Sequence, residues 1–174
     1  MANWALILKI IIILITPIGY AIYKRFRAST VNKLSDLKDK RKILLEKIKK
    51  AGFSEKEVFV SVEDFFDGNE DTGSIGANIY PEPPSLREFY YTFKKFKHSP
   101  KTDKLLIRIA DIDEIEWFYT DMIYISGNYT LAEIKKMFKQ LKPDEIYEGM
   151  MYDNKPSNIP QIKPGNKAYS VWWD

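Results

Sequence analysis

The hydrophobic positions of this chain fall into two regimes. Residues 5–23 form a nearly unbroken apolar run, Ala-Leu-Ile-Leu-Lys-Ile-Ile-Ile-Ile-Leu-Ile-Thr-Pro-Ile-Gly-Tyr-Ala-Ile-Tyr. Further along, apolar residues recur at helix or strand spacing. A helix over 5–23 is roughly 28 Å long, close to the hydrocarbon thickness of a bilayer. Lys9 lies near one end, where its amine can snorkel outward, and Trp4, Tyr20 and Tyr23 sit where interfacial aromatics belong. The first eight residues carry no Lys or Arg, and the far end, Tyr-Lys-Arg-Phe-Arg, is a poor cleavage site. The expectation is an uncleaved, single-pass transmembrane anchor over residues 1–24. Lys24, Arg25 and Arg27 would keep the rest of the chain on the cytoplasmic side.

Residues 25–52 predict a basic connecting helix. Leu34, Leu37, Arg41, Leu44 and Ile48 alternate in steps of three and four, and Lys38, Lys40, Lys42, Lys47, Lys49 and Lys50 crowd the other faces. Such a helix either touches anionic lipid or a partner helix, or packs on its own domain. Gly52 is a natural stop.

Residues 53–174 alternate strand and helix patterns. Strands are expected at 57–62, 75–80, 103–110, 121–126, 145–149 and 167–173. Ser85 and Glu88 fit a capping box, followed by the stripe Leu86, Phe89, Tyr90, Phe93, Phe96. Thr130 and Glu133 fit another, followed by Leu131, Ile134, Met137, Phe138 and Leu141. Aromatics at this spacing point to core rather than to a base-stacking platform. From the second strand the order is β-α-β-β-α-β, with one strand added. The expected fold class is α+β, a ferredoxin-like sandwich with extra strands, preceded by one transmembrane helix and the connecting helix.

Composition narrows the chemistry. There is no cysteine and one histidine, His98, which excludes thiolate sites, disulfides and multi-histidine metal sites. Charge is split unevenly. Residues 1–50 hold 12 Lys/Arg against 3 Asp/Glu, and residues 51–174 hold 15 against 21. An acidic folded domain argues against nucleic acid as a partner.

Two acidic stretches stand out. In the run 63–74, Asp67, Asn69 and Asp71 alternate as in a calcium loop, but Thr72 and Asn78 stand where Gly and a bidentate Glu are needed. Their carboxylates lie beside Phe65 and Phe66, so 63–74 reads either as a turn-rich connection or as a binding edge. Asp111, Asp113, Glu114 and Glu116 precede Trp117-Phe118-Tyr119. This second cluster is either a hot spot for a basic partner or a soluble loop whose aromatics tuck into the core. Candidate partner-binding residues are Asp64, Asp67, Glu70, Asp71, Asp111, Asp113, Glu114, Glu116 and Trp117. No catalytic, cofactor or metal site is expected.

The segments VEDFFDGN (62–69), GSIGAN (73–78), LKPDEIYEG (141–149) and VWWD (171–174) resemble a group of small bacterial immunity proteins over residues 57–174. That resemblance implies an inhibitor that binds a cognate secreted toxin and occludes its active surface, with no catalytic residues of its own. The resemblance leaves out the anchor, which departs from the group's compact form; the anchor itself is what would place the protein in a bacterial inner membrane. A toxin with a basic cleft would suit the acidic domain. The alternative is a membrane-tethered regulatory or scaffold module.

Overall fold

A computed structural model describes residues 4–152, 156 and 161–173, with side chains from residue 19 onward. The chain divides into two compact units, residues 1–39 and 40–174. Its first element, α1 (Trp4–Lys50), is a single 47-residue helix.

Among the described residues no helix is long and apolar enough to cross a membrane. The transmembrane anchor expected over 5–23 is therefore not supported, nor is the inner-membrane placement built on it. The apolar run does not end as a separate segment. It continues as one helix into a stretch dense in Lys, Arg, Ser and Thr. The side chains of residues 5–18, including Lys9, lie outside the described residues.

The second unit is α+β. After α1 come β1 (Val58–Val60), α2 (Val62–Phe66), α3 (Leu86–Lys97), β2 (Thr102–Ile109), β3 (Met122–Gly127), α4 (Leu131–Phe138), β4 (Glu145–Glu148) and β5 (Lys167–Trp172). Among the described residues the strands form one antiparallel sheet of order β1-β2-β3-β5-β4. Both capping boxes are present. The Ser85 and Thr130 hydroxyls accept the N3 amide protons, and Glu88 and Glu133 reach back to the cap.

The ferredoxin-like interleaving is only half formed. Helix α4 carries the chain from β3 to β4 with β5 between them, as a split βαβ unit does. By contrast, α2 and α3 join β1 and β2, which are direct neighbours. The strand expected at 75–80 is the reason for the difference. Only Ile75 bridges to Thr120, and Gly76 then turns the chain at φ +62°. A Cβ at Gly76 would stand 2.7 Å from Ile79 Cδ1 and 3.0 Å from Phe89 Cζ. Segment 76–84 is thus a tight connection under α3, with no ladder of its own.

The main core lies on one sheet face. Leu105, Ile107, Ile109, Ile123, Ile125, Tyr169 and Val171 alternate inward and meet Phe89, Phe93 and Phe96 of α3 and Ile134 and Phe138 of α4. Trp173 is fully buried among these rings, and its indole N–H donates to the Leu141 carbonyl at 2.7 Å. Leu44 and Ile48 of α1 are buried in the same core. The lower part of the connecting helix therefore packs on its own domain, one of the two readings open from sequence. On the opposite sheet face, Arg108 forks onto Asp121 and lies 3.6 Å from Glu57, beside Phe59, Met122 and Tyr124.

Candidate functional site

Helix α2 begins at Ser61, whose hydroxyl accepts the Asp64 amide proton, and ends in the turn Asp67-Gly68, where Gly68 sits at φ +87°. This short helix buries Val62 and Phe65 and sets Glu63, Asp64 and Asp67 toward the surface. Each of these three carboxylates meets a lysine. Lys47 reaches Asp64 at 2.5 Å, Lys40 reaches Asp67 at 2.9 Å, and Lys97 of α3 pairs with Glu63. Burial is the largest single influence and works against ionisation of Glu63, but the bond from Lys97, the carboxylate's own backbone bond and the nearby positive charges together hold the carboxyl below its ordinary value.

Between α2 and α3 lies an open cleft of about 650 Å³. Phe66, Leu86 and Tyr90 supply its apolar lining, and Glu63, Asp64, Asp67, Asn69 and Arg87 its polar lining. Asp71 and Glu70 stand apart from it, in the turn that follows. There Asn69 is buried, donates to Ser74 Oγ at 2.9 Å and accepts the Asp71 amide proton. Asp71 in turn accepts from the Gly73 amide at 2.8 Å. The calcium-like alternation of 67, 69 and 71 thus closes the turn on itself. Among the described residues no three potential metal ligands converge.

The second acidic stretch is built differently. Asp111 pairs with Tyr119 in an isolated antiparallel bridge, so residues 112–118 form a closed loop at the end of β2. Asp113 accepts from the Ile115 and Glu116 amides, which tightens the tip and holds its carboxyl below the ordinary value. Arg41 of α1 then clamps the loop. Its Nε donates to the Glu116 carbonyl at 2.7 Å, its Nη2 donates to the Asp113 carbonyl, and its guanidinium lies 5.1 Å from the Phe118 ring centroid. The carboxylates of Asp111, Asp113, Glu114 and Glu116 are exposed, and among the described residues none of them makes a salt bridge.

Trp117 does not serve as an exposed anchor. It is 7% exposed, and its indole N–H donates to the Phe65 carbonyl at 2.8 Å, so the partner-contact role expected for it is withdrawn. The exposed apolar residue is Ile115, which is 88% exposed at the tip, between carboxylates on both sides. The Trp117–Phe65 bond also ties the base of this loop to α2. Two acidic segments separated by more than forty residues thereby become neighbours, with Lys40 contacting one and Arg41 the other.

Sequence reasoning missed Ile115, Arg41 and the three lysines. Ile115 carried a weak signal, a lone aliphatic residue among four acids. Arg41 carried a stronger one, a cation inside an otherwise aliphatic seam. The lysine pairings depend on how α1, α2 and α3 meet and have no local signature.

A profile described as the Uncharacterized protein YfbO family matches residues 39–171. Uncharacterized protein YfbO of Escherichia coli (strain K12) is 28% identical over 116 residues, covering 66% of this chain and 81% of that protein. No solved structure matches. The chain belongs to the YfbO family, whose matched span takes in α1 from residue 39, both acidic segments and the sheet up to Val171 of β5.

Proposed function

We propose that this member of the YfbO family is a protein-binding module that presents loop 111–116 to a basic partner surface and carries out no reaction itself. One observation carries the reading: four exposed carboxylates, without salt bridges among the described residues, surround an 88%-exposed isoleucine on a loop already held in shape by Arg41. A pre-organised loop loses little entropy on docking, and an apolar tip ringed by charge matches the usual anatomy of a binding hot spot. The α2 carboxylates and the neighbouring cleft extend the same surface. The partner we propose is a cognate bacterial toxin whose active surface would be covered, in keeping with the resemblance of the 62–69, 73–78, 141–149 and 171–174 segments to immunity proteins.

The test is co-expression rescue against the product of the gene directly upstream, where the immunity reading expects a toxin, followed by pull-down. Asp113→Lys with Glu114→Lys should weaken binding at least tenfold, with a loss that varies steeply with salt. Asp67→Lys with Asp71→Lys should weaken it less, because Asp67 already faces Lys40. Unchanged affinity in both double variants would move the interface elsewhere. Capture of a partner without rescue would favour the regulatory or scaffold reading over immunity.

A further inference from the structure

The first unit carries a surface that the binding loop does not use. Along α1, Tyr20, Ile22, Tyr23, Phe26, Val31 and Leu34 are 54–74% exposed. At 100° per residue these six fall within about half of the helix circumference. Residues 19–39 also hold Lys24, Arg25, Arg27, Lys33 and Lys38 against only Asp36 and Asp39. Both aspartates fall on the half opposite the apolar residues, while Lys33, Arg27 and Lys38 fall inside or at the margin of the apolar half.

We infer that this face of α1 lies flat on an anionic lipid surface, without crossing it. Large apolar side chains at this exposure need a cover. The cover must accept an apolar band about 180° wide, whereas a two-stranded coiled-coil seam uses a narrower stripe. It must also tolerate cations within the band and keep the acids away. A lipid headgroup layer does all three: the rings and aliphatic chains enter the acyl boundary, the Lys and Arg stems snorkel to phosphate, and the aspartates face water. A second copy of the helix would instead bring Arg27 and Lys38 against the same residues of its partner.

Sedimentation of the full chain with phosphatidylcholine vesicles, with and without phosphatidylserine, tests this. Partition into the anionic vesicles should exceed that into the neutral ones by roughly tenfold or more. Arg27→Glu with Lys38→Glu should abolish that excess, and high salt should reduce it. Tyr23→Ser with Phe26→Ser should weaken partition into both vesicle types, while circular dichroism and the melting of the second unit stay unchanged. Equal partition into both vesicle types would overturn the inference. So would retention of the excess in the charge-reversed variant. A dimer in solution that Phe26→Ser with Leu34→Ser dissociates would assign the face to a second copy instead.

Discussion

Arg41 clamps the acidic loop, so replacing it with methionine should loosen the loop while leaving α1 intact. Methionine keeps the apolar stem and the helix propensity and removes only the guanidinium. The loss comprises one bond to the Glu116 carbonyl at 2.7 Å, one to the Asp113 carbonyl, and the contact with the Phe118 ring. The residue is half-buried, and water can reach the freed carbonyls, so each bond contributes about 0.5–1 kcal/mol rather than its full charge-assisted value. The ring contact adds about 0.5 kcal/mol. A total of roughly 1.5–2.5 kcal/mol corresponds to a fall in Tm of about 5–9 °C for a unit of this size. Hydrogen exchange gives the sharper assay. The Ile115 and Glu116 amides donate to Asp113, and both should lose protection in Arg41→Met while those of β2 and β3 keep theirs. Arg41→Lys should recover part of the Tm but little of the protection, since an ammonium cannot span both carbonyls. If Arg41→Met leaves both Tm and loop exchange unchanged, the loop keeps its shape by itself and the clamp is irrelevant.

Ile115→Ser should leave stability within about 0.5 kcal/mol and weaken partner binding. Trp117→Phe should do the reverse, costing about 1–3 kcal/mol in urea unfolding, because it leaves the buried Phe65 carbonyl without its donor. Gly127→Ala should destabilise by about 1–3 kcal/mol or prevent folding, since a Cβ there would stand 2.3 Å from the Lys101 carbonyl oxygen, a backbone atom. Glu133 is held down to about 2 by the bond from Lys101 and by those from Thr130. Its folded pKa is depressed, so its contribution is present above the unfolded value near 4.5 and is lost as pH falls toward 2. The Tm difference between the native protein and Glu133→Gln should accordingly shrink between pH 5 and pH 2.

What the sequence made legible was what local pattern and capping control. The stripe in 86–96, that in 131–141 save for the exposed Met137, the two capping boxes and five of the six expected strands formed, because period and cap chemistry act over a few residues. The strand at 75–80 failed because apolar content alone suggested it, while Gly76 is packed too tightly against Ile79 and Phe89 for the chain to run straight. The sandwich topology failed for the same reason. Trp117 was ambiguous because an aromatic after an acidic run reads the same whether it faces in or out, and only the Phe65 carbonyl, fifty-two residues away, decides it. The anchor was read from the apolar run 5–23 and its flanking aromatics and cations as a segment separate from the basic connecting helix, whereas the two form one continuous helix to Lys50.

The difference between the two acidic segments decides where a basic partner gains most. On α2, a cation approaching Asp67 or Asp64 meets a carboxylate already facing Lys40 or Lys47, so it displaces one positive charge by bringing another. Such exposed pairs contribute little, about 0–1 kcal/mol, which makes the exchange cheap but also nearly neutral. On loop 111–116, among the described residues, no lysine is paired that would have to be displaced, and an arriving cation adds a new pair. The field that steers a partner inward therefore originates at the loop, and α2 supplies contacts only after encounter. The Trp117–Phe65 bond fixes the base of the loop to α2, so in the proposed docking a partner seated on the Ile115 tip would also meet the cleft lined by Phe66, Leu86 and Tyr90. Association rate should then depend on Asp113 and Glu114, and dissociation rate on Ile115 and Phe66.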